Sequence, residues 1–527
     1  MESNFYTEPT KYNDLRKWVC STDHKRIGLL YMASIFIFFL VAMMIGVVMK
    51  LKMLSAGTTF ISARTYNSLF TVHGVIMIFL FIIPGIPAAL GNFILPLQLG
   101  AKDVAFPRLN LYSWYFYIAG AVCALTSLFT GGGAPDTGWT FYVPYSVTTG
   151  TNVSLAVFGA FLLGMSSTLT GLNFLTTIHR MRAPGMGWFR MPLFIWSLYA
   201  TGWVQLLATP IIAITLVLVI LERLFNVGIF DPSRGGDPIL FEHMFWIYSH
   251  PAVYIMILPA MGIVSEIIPV FARRTIFGYK AIAFSSLAIA LVGYLVWGHH
   301  MFTSGMSDTA RVIFSLLTFI VAVPSGVKVF NWVASLYKGS IVISAPLIFV
   351  MAFIFLFSIG GLTGLFQGAL NIDMHIHGTY FIVAHFHYVM FGGTGFAFFA
   401  GLHYWYPKIF GRMYNEKIAR YACGLMLIGF NVLYFPMFIL GWQGMPRRYY
   451  DYPAQFQALQ RLSSVGSWIL VAGILLMFHN LVKSIRKGTP ASSNPWGGKT
   501  LEWQTTSPPP TENFVEIPVV TSGPYNY

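Results

Sequence analysis

Apolar residues arrive in long blocks, separated by short polar stretches. Twelve blocks are long enough to cross a bilayer, at residues 27–49, 70–97, 111–130, 153–176, 192–221, 243–270, 281–303, 312–332, 341–365, 377–402, 419–442 and 463–482. A spanning helix needs roughly 20 such residues. The pattern predicts an all-α membrane protein, a bundle of twelve transmembrane helices. Residues 1–26 form a polar N-terminal segment, 27–485 the helical domain and 486–527 an extended tail marked by SSNPWGG and SPPP. The N-terminal segment lacks the short apolar core of a cleaved signal.

Composition agrees, since 9% of residues are charged and 56% are hydrophobic. A soluble domain carries roughly 25% charged residues. Of the 32 Lys and Arg, 22 fall on the side holding both termini, nine on the other, and Lys328 lies within a span. The positive-inside rule therefore puts both termini in the cytoplasm. Dispersed basic loops explain the net charge of +14 without nucleic acid. Cys20, Cys123 and Cys423 are too scattered for a metal pair or a disulfide framework.

Histidine is the informative residue. An imidazole in an apolar span needs a partner or a metal. His73, His250, the pair His299–His300, His385 and His387 all lie in such spans. Three imidazoles without a thiolate suit copper, zinc or iron, so His250, His299 and His300 form one candidate ion site. Tyr254 follows His250 at i+4, on the same helix face. His385 and His387 point about 200° apart on a helix and can serve two centres on either side of it. His73 paired with one of them across a haem gives a six-coordinate iron; the other leaves an open, five-coordinate iron. His24, His179, His243, His375, His377, His403 and His479 read as surface or structural residues.

These motifs, HPAVY, HH and HFH in this order, resemble subunit I of the haem-copper oxygen reductases of cytochrome oxidase type. The likeness runs from STDHKRIG at 21–28 to LEWQTTSPPP at 501–510. It implies two haems, of the a and a3 type, and one copper, CuB. It gives His73 and His387 to the low-spin haem, His385 to the high-spin haem, and His250, His299 and His300 to CuB. Tyr254 corresponds to the tyrosine that the family links covalently to the copper-ligating histidine. Arg447, Arg448 and Trp139 correspond to residues at the haem propionates. Lys328 with Ser325 corresponds to one proton route. Asp103 corresponds to the mouth of a second, lined by Asn92, Asn110, Ser166, Ser167 and Asn173. The family further implies oxygen reduction coupled to proton translocation, a CuA-bearing subunit II, a subunit III, surrounding membrane lipid and a bacterial inner (cytoplasmic) membrane location.

The chain departs from the family at four places. Ala252 stands where most relatives have a glutamate, and Tyr248–Ser249 before His250 resembles a subgroup that uses this hydroxyl pair instead. Gly378 replaces the aspartate of a His-Asp pair that helps hold Mg²⁺, leaving His377 with Asp373 nearby. Lys50 aligns with an arginine beside the low-spin haem. Thr65 and Ser68 stand where quinol-oxidising relatives carry His and Gln, which favours a cytochrome c-type donor. Two alternatives fit less well, given Tyr254, the absence of a nearby Glu and the six aligned histidines. A nitric oxide reductase would use carboxylates around a non-haem iron, and a secondary transporter could share the span count.

Overall fold

The computed structural model describes residues 4–7 and 14–527. Apolar chain in a bilayer must satisfy its backbone hydrogen bonds internally, and the regular structure of the described residues is helical, with two isolated bridges and no strand. The long helices are α1 (His24–Lys52), α2 (Ala63–Leu99), α3 (Pro107–Thr126) and α4 (Val153–Arg180). Next come α5 (Leu193–Phe225), α6 (Pro238–Ala272), α7 (Tyr279–Gly293) and α8 (Asp308–Leu336). The last are α9 (Ala345–Gly368), α10 (Tyr380–Phe410), α11 (Glu416–Trp442) and α12 (Gln457–Lys487). Several starts have side-chain caps that accept an otherwise unpaired N–H: Ser62 from Thr65, Asn152 from Leu155, Ser307 from Ala310 and Asn415 from Ile418.

Among the described residues, ten helices are long and apolar enough to cross a membrane. The two other expected spans coincide with α3 and α7. Helix α3 carries Arg108, Asn110 and Ser113, which dilute its apolar character. The span expected over 281–303 is broken: α7 ends at Gly293, and a separate 3₁₀ turn, Trp297–Met301, carries the His-His pair.

Three helices are locally distorted beside histidines. In α2, π-helical turns at Ile76–Ile82 and Gly85–Gly91 follow His73 and flank Pro84. In α10, a glycine-rich π-helical segment, Met390–Gly395, follows His387. Such turns widen a helix and often sit at functional sites. In α6, Pro251 directly follows His250 and cannot bond the carbonyl of Ile247.

The segments at the two ends are less simple than expected. Helix α1 begins at His24, and His24, Lys25 and Arg26 are buried. The expected polar segment 1–26 falls partly outside the described residues, which exclude 1–3 and 8–13, Lys11 among them. The tail after α12 is extended but packed onto the bundle, with Glu502, Trp503, Asn513 and Tyr525 buried. An extended chain leaves its carbonyls unpaired, and buried lysines take them. Lys408 Nζ donates to the carbonyls of Ser493, Thr505 and Thr506 at 3.1, 2.7 and 3.1 Å. Lys25 Nζ donates to Thr511 O and Asn513 Oδ1, both at 2.8 Å. Phe5 N donates to Pro509 O at 3.4 Å, so the described ends share one face of the bundle.

Candidate metal centre

One cavity of about 1150 Å³ runs between α1, α2, α6, α8, α9, α10 and α12. All six histidines of the apolar spans line it, with Tyr254, Trp139, Arg447, Arg448, Lys50 and Ser325.

The 3₁₀ turn after α7 turns His299 and His300 toward His250 of α6. His300 Nε2 lies 3.0 Å from both His250 Nδ1 and His299 Nε2, and the three nitrogens lie within 4.8 Å of one another. Nitrogens held about 2.0–2.1 Å from one ion sit roughly 3 Å apart, so this donor set fits a single metal. His299 Nδ1 lies 3.0 Å from Thr318 Oγ1, which donates to the Phe314 carbonyl at 2.6 Å. The hydroxyl's proton is thus engaged, so Nδ1 carries the imidazole proton and Nε2 keeps a bare lone pair. His300 stacks on Trp246 with centroids 3.8 Å apart. His250 Nε2 is buried without a hydrogen-bond partner, and the Tyr254 ring stands against that imidazole, centroids 4.9 Å apart. A Cβ at Gly293 would lie 2.6 Å from Tyr254 Cε2, so the end of α7 must be glycine for the phenol to fit.

The other three histidines follow a second pattern. His73 Nδ1 bonds Ala42 O and His387 Nδ1 bonds Val383 O, both at 2.8 Å. A carbonyl only accepts, so both rings carry the proton on Nδ1 and leave Nε2 as a ligand lone pair. His385 Nδ1 lies 3.2 Å from Thr363 Oγ1, which donates to Ile359 O at 2.9 Å, with the same consequence. Small residues make room at these rings. A Cβ at Gly46 would approach His73 Cε1 to 3.2 Å, and one at Gly364 would approach His385 Cε1 to 3.1 Å. Apolar walls, freed Nε2 atoms and glycine clearance fit flat tetrapyrroles ligated by imidazole.

At the opposite end from the chain termini, Arg447 and Arg448 face the cavity between Phe386 and Phe70. Burial, then the like charge of Arg448, brings Arg447 down to about 9. Among the described residues no carboxylate pairs with either guanidinium, and Arg447 Nε is buried and unpartnered. Two buried forks suit external carboxylates. Trp139 packs beside them, where a Cβ at Gly74 would lie 3.2 Å from its Cβ. His377 Nδ1 bonds Asp373 Oδ2 at 2.9 Å, and Gly378 (φ +69°) accepts Arg447 N through its carbonyl.

The predicted proton-route residues divide. Lys328 is buried and donates to Ser286 Oγ at 2.7 Å and Ile282 O at 3.2 Å, both on α7. Ser325 lines the cavity but donates to Val321 O at 3.1 Å, not to Lys328. Ser286 was therefore missed; its only signal was a Ser-Ser pair in an apolar run. Near the other mouth, Asp103 Oδ1 accepts Val104 N at 2.7 Å, and burial raises its carboxyl to about 7. Asn173 brackets Phe106 N and O at 2.9 and 3.1 Å, while Asn92 bonds Ala88 O at 2.9 Å. Asn110 is buried with its amide unpartnered. Ser166 meets Tyr31 OH at 2.9 Å, Tyr31 OH meets Ser113 Oγ at 3.0 Å, and Ser113 Oγ reaches Asn110 O at 2.7 Å. Tyr31 and Ser113 complete this chain and were also missed. Ser167 turns toward Gln205 of α5 at 3.2 Å. Tyr248 and Ser249 are buried, and Ser249 Oγ has no partner.

The family model described as "Cytochrome C and Quinol oxidase polypeptide I" matches residues 26–469. The cytochrome c oxidase subunit 1 of Thermostichus vulcanus is 45% identical over 509 residues, 96% of this chain and 92% of the relative. That of Synechocystis sp. is 44% identical over 517 residues, 97% of this chain and 93% of the relative. A solved structure described as a heme-copper terminal oxidase dimer has a TM-score of 0.72 at 21% identity, over 89% of this chain and 85% of that one, and shares the fold. The transporter reading is set aside by these matches. The chain belongs to the cytochrome c and quinol oxidase polypeptide I family, as a haem-copper oxidase subunit I of the cytochrome c oxidase subunit 1 type.

Proposed function

We propose that this chain is the catalytic subunit of a respiratory oxidase of the A-type, Tyr-Ser subgroup. It takes electrons from cytochrome c through a CuA-bearing subunit II, assembles with a subunit III, and couples reduction of O₂ to water to proton translocation. In this reading twelve helices span a bacterial cytoplasmic membrane, both termini are cytoplasmic, residues 27–485 form the catalytic domain and 486–527 cover its inner face.

His250, His299 and His300 would hold CuB, His385 the high-spin haem, and His73 with His387 the low-spin haem. Bound there, haems of the a and a3 type and one copper would supply the redox centres for reducing O₂. The chain's own residues do the rest. Tyr254, against His250, supplies a proton and an electron beside the reacting oxygen. Arg447 and Arg448, with Trp139, bind and orient propionates. Lys328, hydrogen-bonded to Ser286, feeds protons from α8 into the cavity that Ser325 lines. Asp103 collects protons at the second mouth. Asn92, Asn110, Asn173, Ser166 and Ser167 line that route, and Tyr248 and Ser249 relay at its inner end, where Ala252 offers no carboxylate. A standard Mg²⁺ site is not part of this reading, because Gly378 supplies no side-chain ligand.

The observation that carries the reading is the convergence of three imidazole nitrogens beside Tyr254, in the same cavity as three further histidines with free Nε2 atoms. Reduced-minus-oxidised spectra and metal analysis of the purified subunit test it. Two haems and one copper are expected. Absence of haem bands, or a second iron in place of copper, would sink it.

A further inference from the structure

Three helix ends on the face shared by the termini carry a cationic and aromatic cluster that the oxidase chemistry does not use. The α4–α5 connection, residues 179–192, contains His179, Arg180, Arg182 and Arg190 and no Asp or Glu. The connection into α7, residues 273–280, adds Arg273, Arg274 and Lys280, again without an acid. Arg190 Nη1 reaches Val520 O at 3.3 Å, which fixes the face.

The aromatic rings form a continuous surface between two of these cations. The Arg182 guanidinium lies 4.2 Å over Trp188, and its Nη1 is buried with no hydrogen-bond partner. Trp188 packs against Trp196 at 5.6 Å, Trp196 against Phe189 at 6.3 Å, and Lys280 Nζ lies 5.0 Å over Phe189. Further into the membrane, Trp203 and Leu207, one helical turn apart on α5, are 39% and 55% exposed. An interfacial aromatic belt alone explains the rings. It does not explain a guanidinium nitrogen without a hydrogen-bond partner on one side of them and, among the described residues, an ammonium in no ion pair on the other.

We propose that this cluster binds the headgroup of an anionic phospholipid in the leaflet on the termini side, with Arg182 and Lys280 as its charge partners and an acyl chain lying along Trp203 and Leu207. Guanidinium N–H groups suit a phosphate diester, and basic pockets between membrane helices on the inner side recognise acidic headgroups. The occupant is a lipid and not a free anion because the charges open onto a lipid-facing apolar track.

The test uses the intact oxidase complex, reconstituted in nanodiscs of equal phosphatidylglycerol and phosphatidylcholine, with retained lipid counted by native mass spectrometry. Phosphatidylglycerol should be retained in preference to phosphatidylcholine. Arg182→Gln and Lys280→Gln should each weaken that retention about fivefold, and together about 25-fold. Turnover and haem spectra should stay unchanged. Three results overturn the proposal: equal retention of both lipids, full phosphatidylglycerol retention in both single variants, or displacement of the lipid by inorganic phosphate at low concentration. So does cross-linking from position Leu207 to another subunit instead of lipid, which would assign the patch to a protein partner.

Discussion

Helices α6 and α8 both serve the cavity, and they are built in opposite ways. The apolar stretch of α6 is 100% buried, whereas that of α8 is 11% buried. Helix α6 delivers His250, Tyr254 and Tyr248 from a position enclosed on every side. Helix α8 turns Thr318, Ser325 and Lys328 inward and presents Leu316, Val323 and Phe330 as a broad apolar surface. Residues on α6 are fixed by packing all round, as a metal ligand requires. Those on α8 lie on one stripe of a helix whose opposite face is exposed in this chain, which leaves room for side chains that carry protons. Substitutions on α6 should therefore remove chemistry outright, and those on α8 should slow it.

The largest effect is expected from His250→Asn. Only two imidazoles remain to hold copper, so copper should be absent by metal analysis and oxygen consumption lost. The low-spin haem bands from His73 and His387 should persist, because those rings are anchored independently through Ala42 and Val383. Loss of both haems as well would mean that α6 supports the fold more than the ligand. Next comes Lys328→Met. A positioned proton carrier contributes about 10²–10⁴-fold, so turnover should fall at least about 100-fold with copper and haem contents intact. Ser286→Ala should cost less, since Lys328 keeps its bond to Ile282 O. Equal losses in both variants would make Ser286 the true carrier.

Thr318→Val sharpens the contrast within α8. It removes the acceptor that orients His299 and changes no ligand. Outer partners of this kind are worth about 10–100-fold in metal affinity. Copper should thus be lost to a chelator more readily, and activity should return when copper is added. An unchanged chelator titration would show that Trp246 and the His250 contact orient the cluster unaided.

The same contrast explains what could be read in advance. Twelve apolar blocks and the six histidines stood out because a polar ring in a bilayer is conspicuous. Lys328 was legible for the same reason. Thr318 and Thr363 were not, because a threonine hydroxyl in an apolar run commonly bonds its own helix at i−4, as both also do, and Tyr31 was not, because a tyrosine in such a run reads as core. Only the tertiary fold says which of them meets an imidazole or another hydroxyl. The break between Gly293 and the His-His turn was hidden too. Apolarity runs straight through it, although the chain must leave the helix there to bring both rings to His250. The packed tail escaped notice because its partners, Lys25 and Lys408, lie more than 80 positions away in sequence.

The smallest effects should come from the Asp103 route, and they test whether α6 acts there as a relay as well as a ligand scaffold. Tyr248→Phe removes one oxygen from the inner end of that route and leaves α6 packing intact. It should slow proton uptake and pumping while haem and copper stay bound; unchanged turnover and pumping would remove Tyr248 from the route. Asp103 sits outside both helices, with a carboxyl raised by burial to about 7. It is protonated below that pH and ionised above it, so its ability to accept and pass on a proton changes across neutrality. Asp103→Asn should leave haem spectra unchanged and flatten the pH dependence of proton uptake between roughly pH 6 and 8. A retained step near 7 in Asp103→Asn would move the titrating group elsewhere. The step's persistence in Tyr248→Phe, at a lower rate, would separate the collecting group at the surface from the relay on α6.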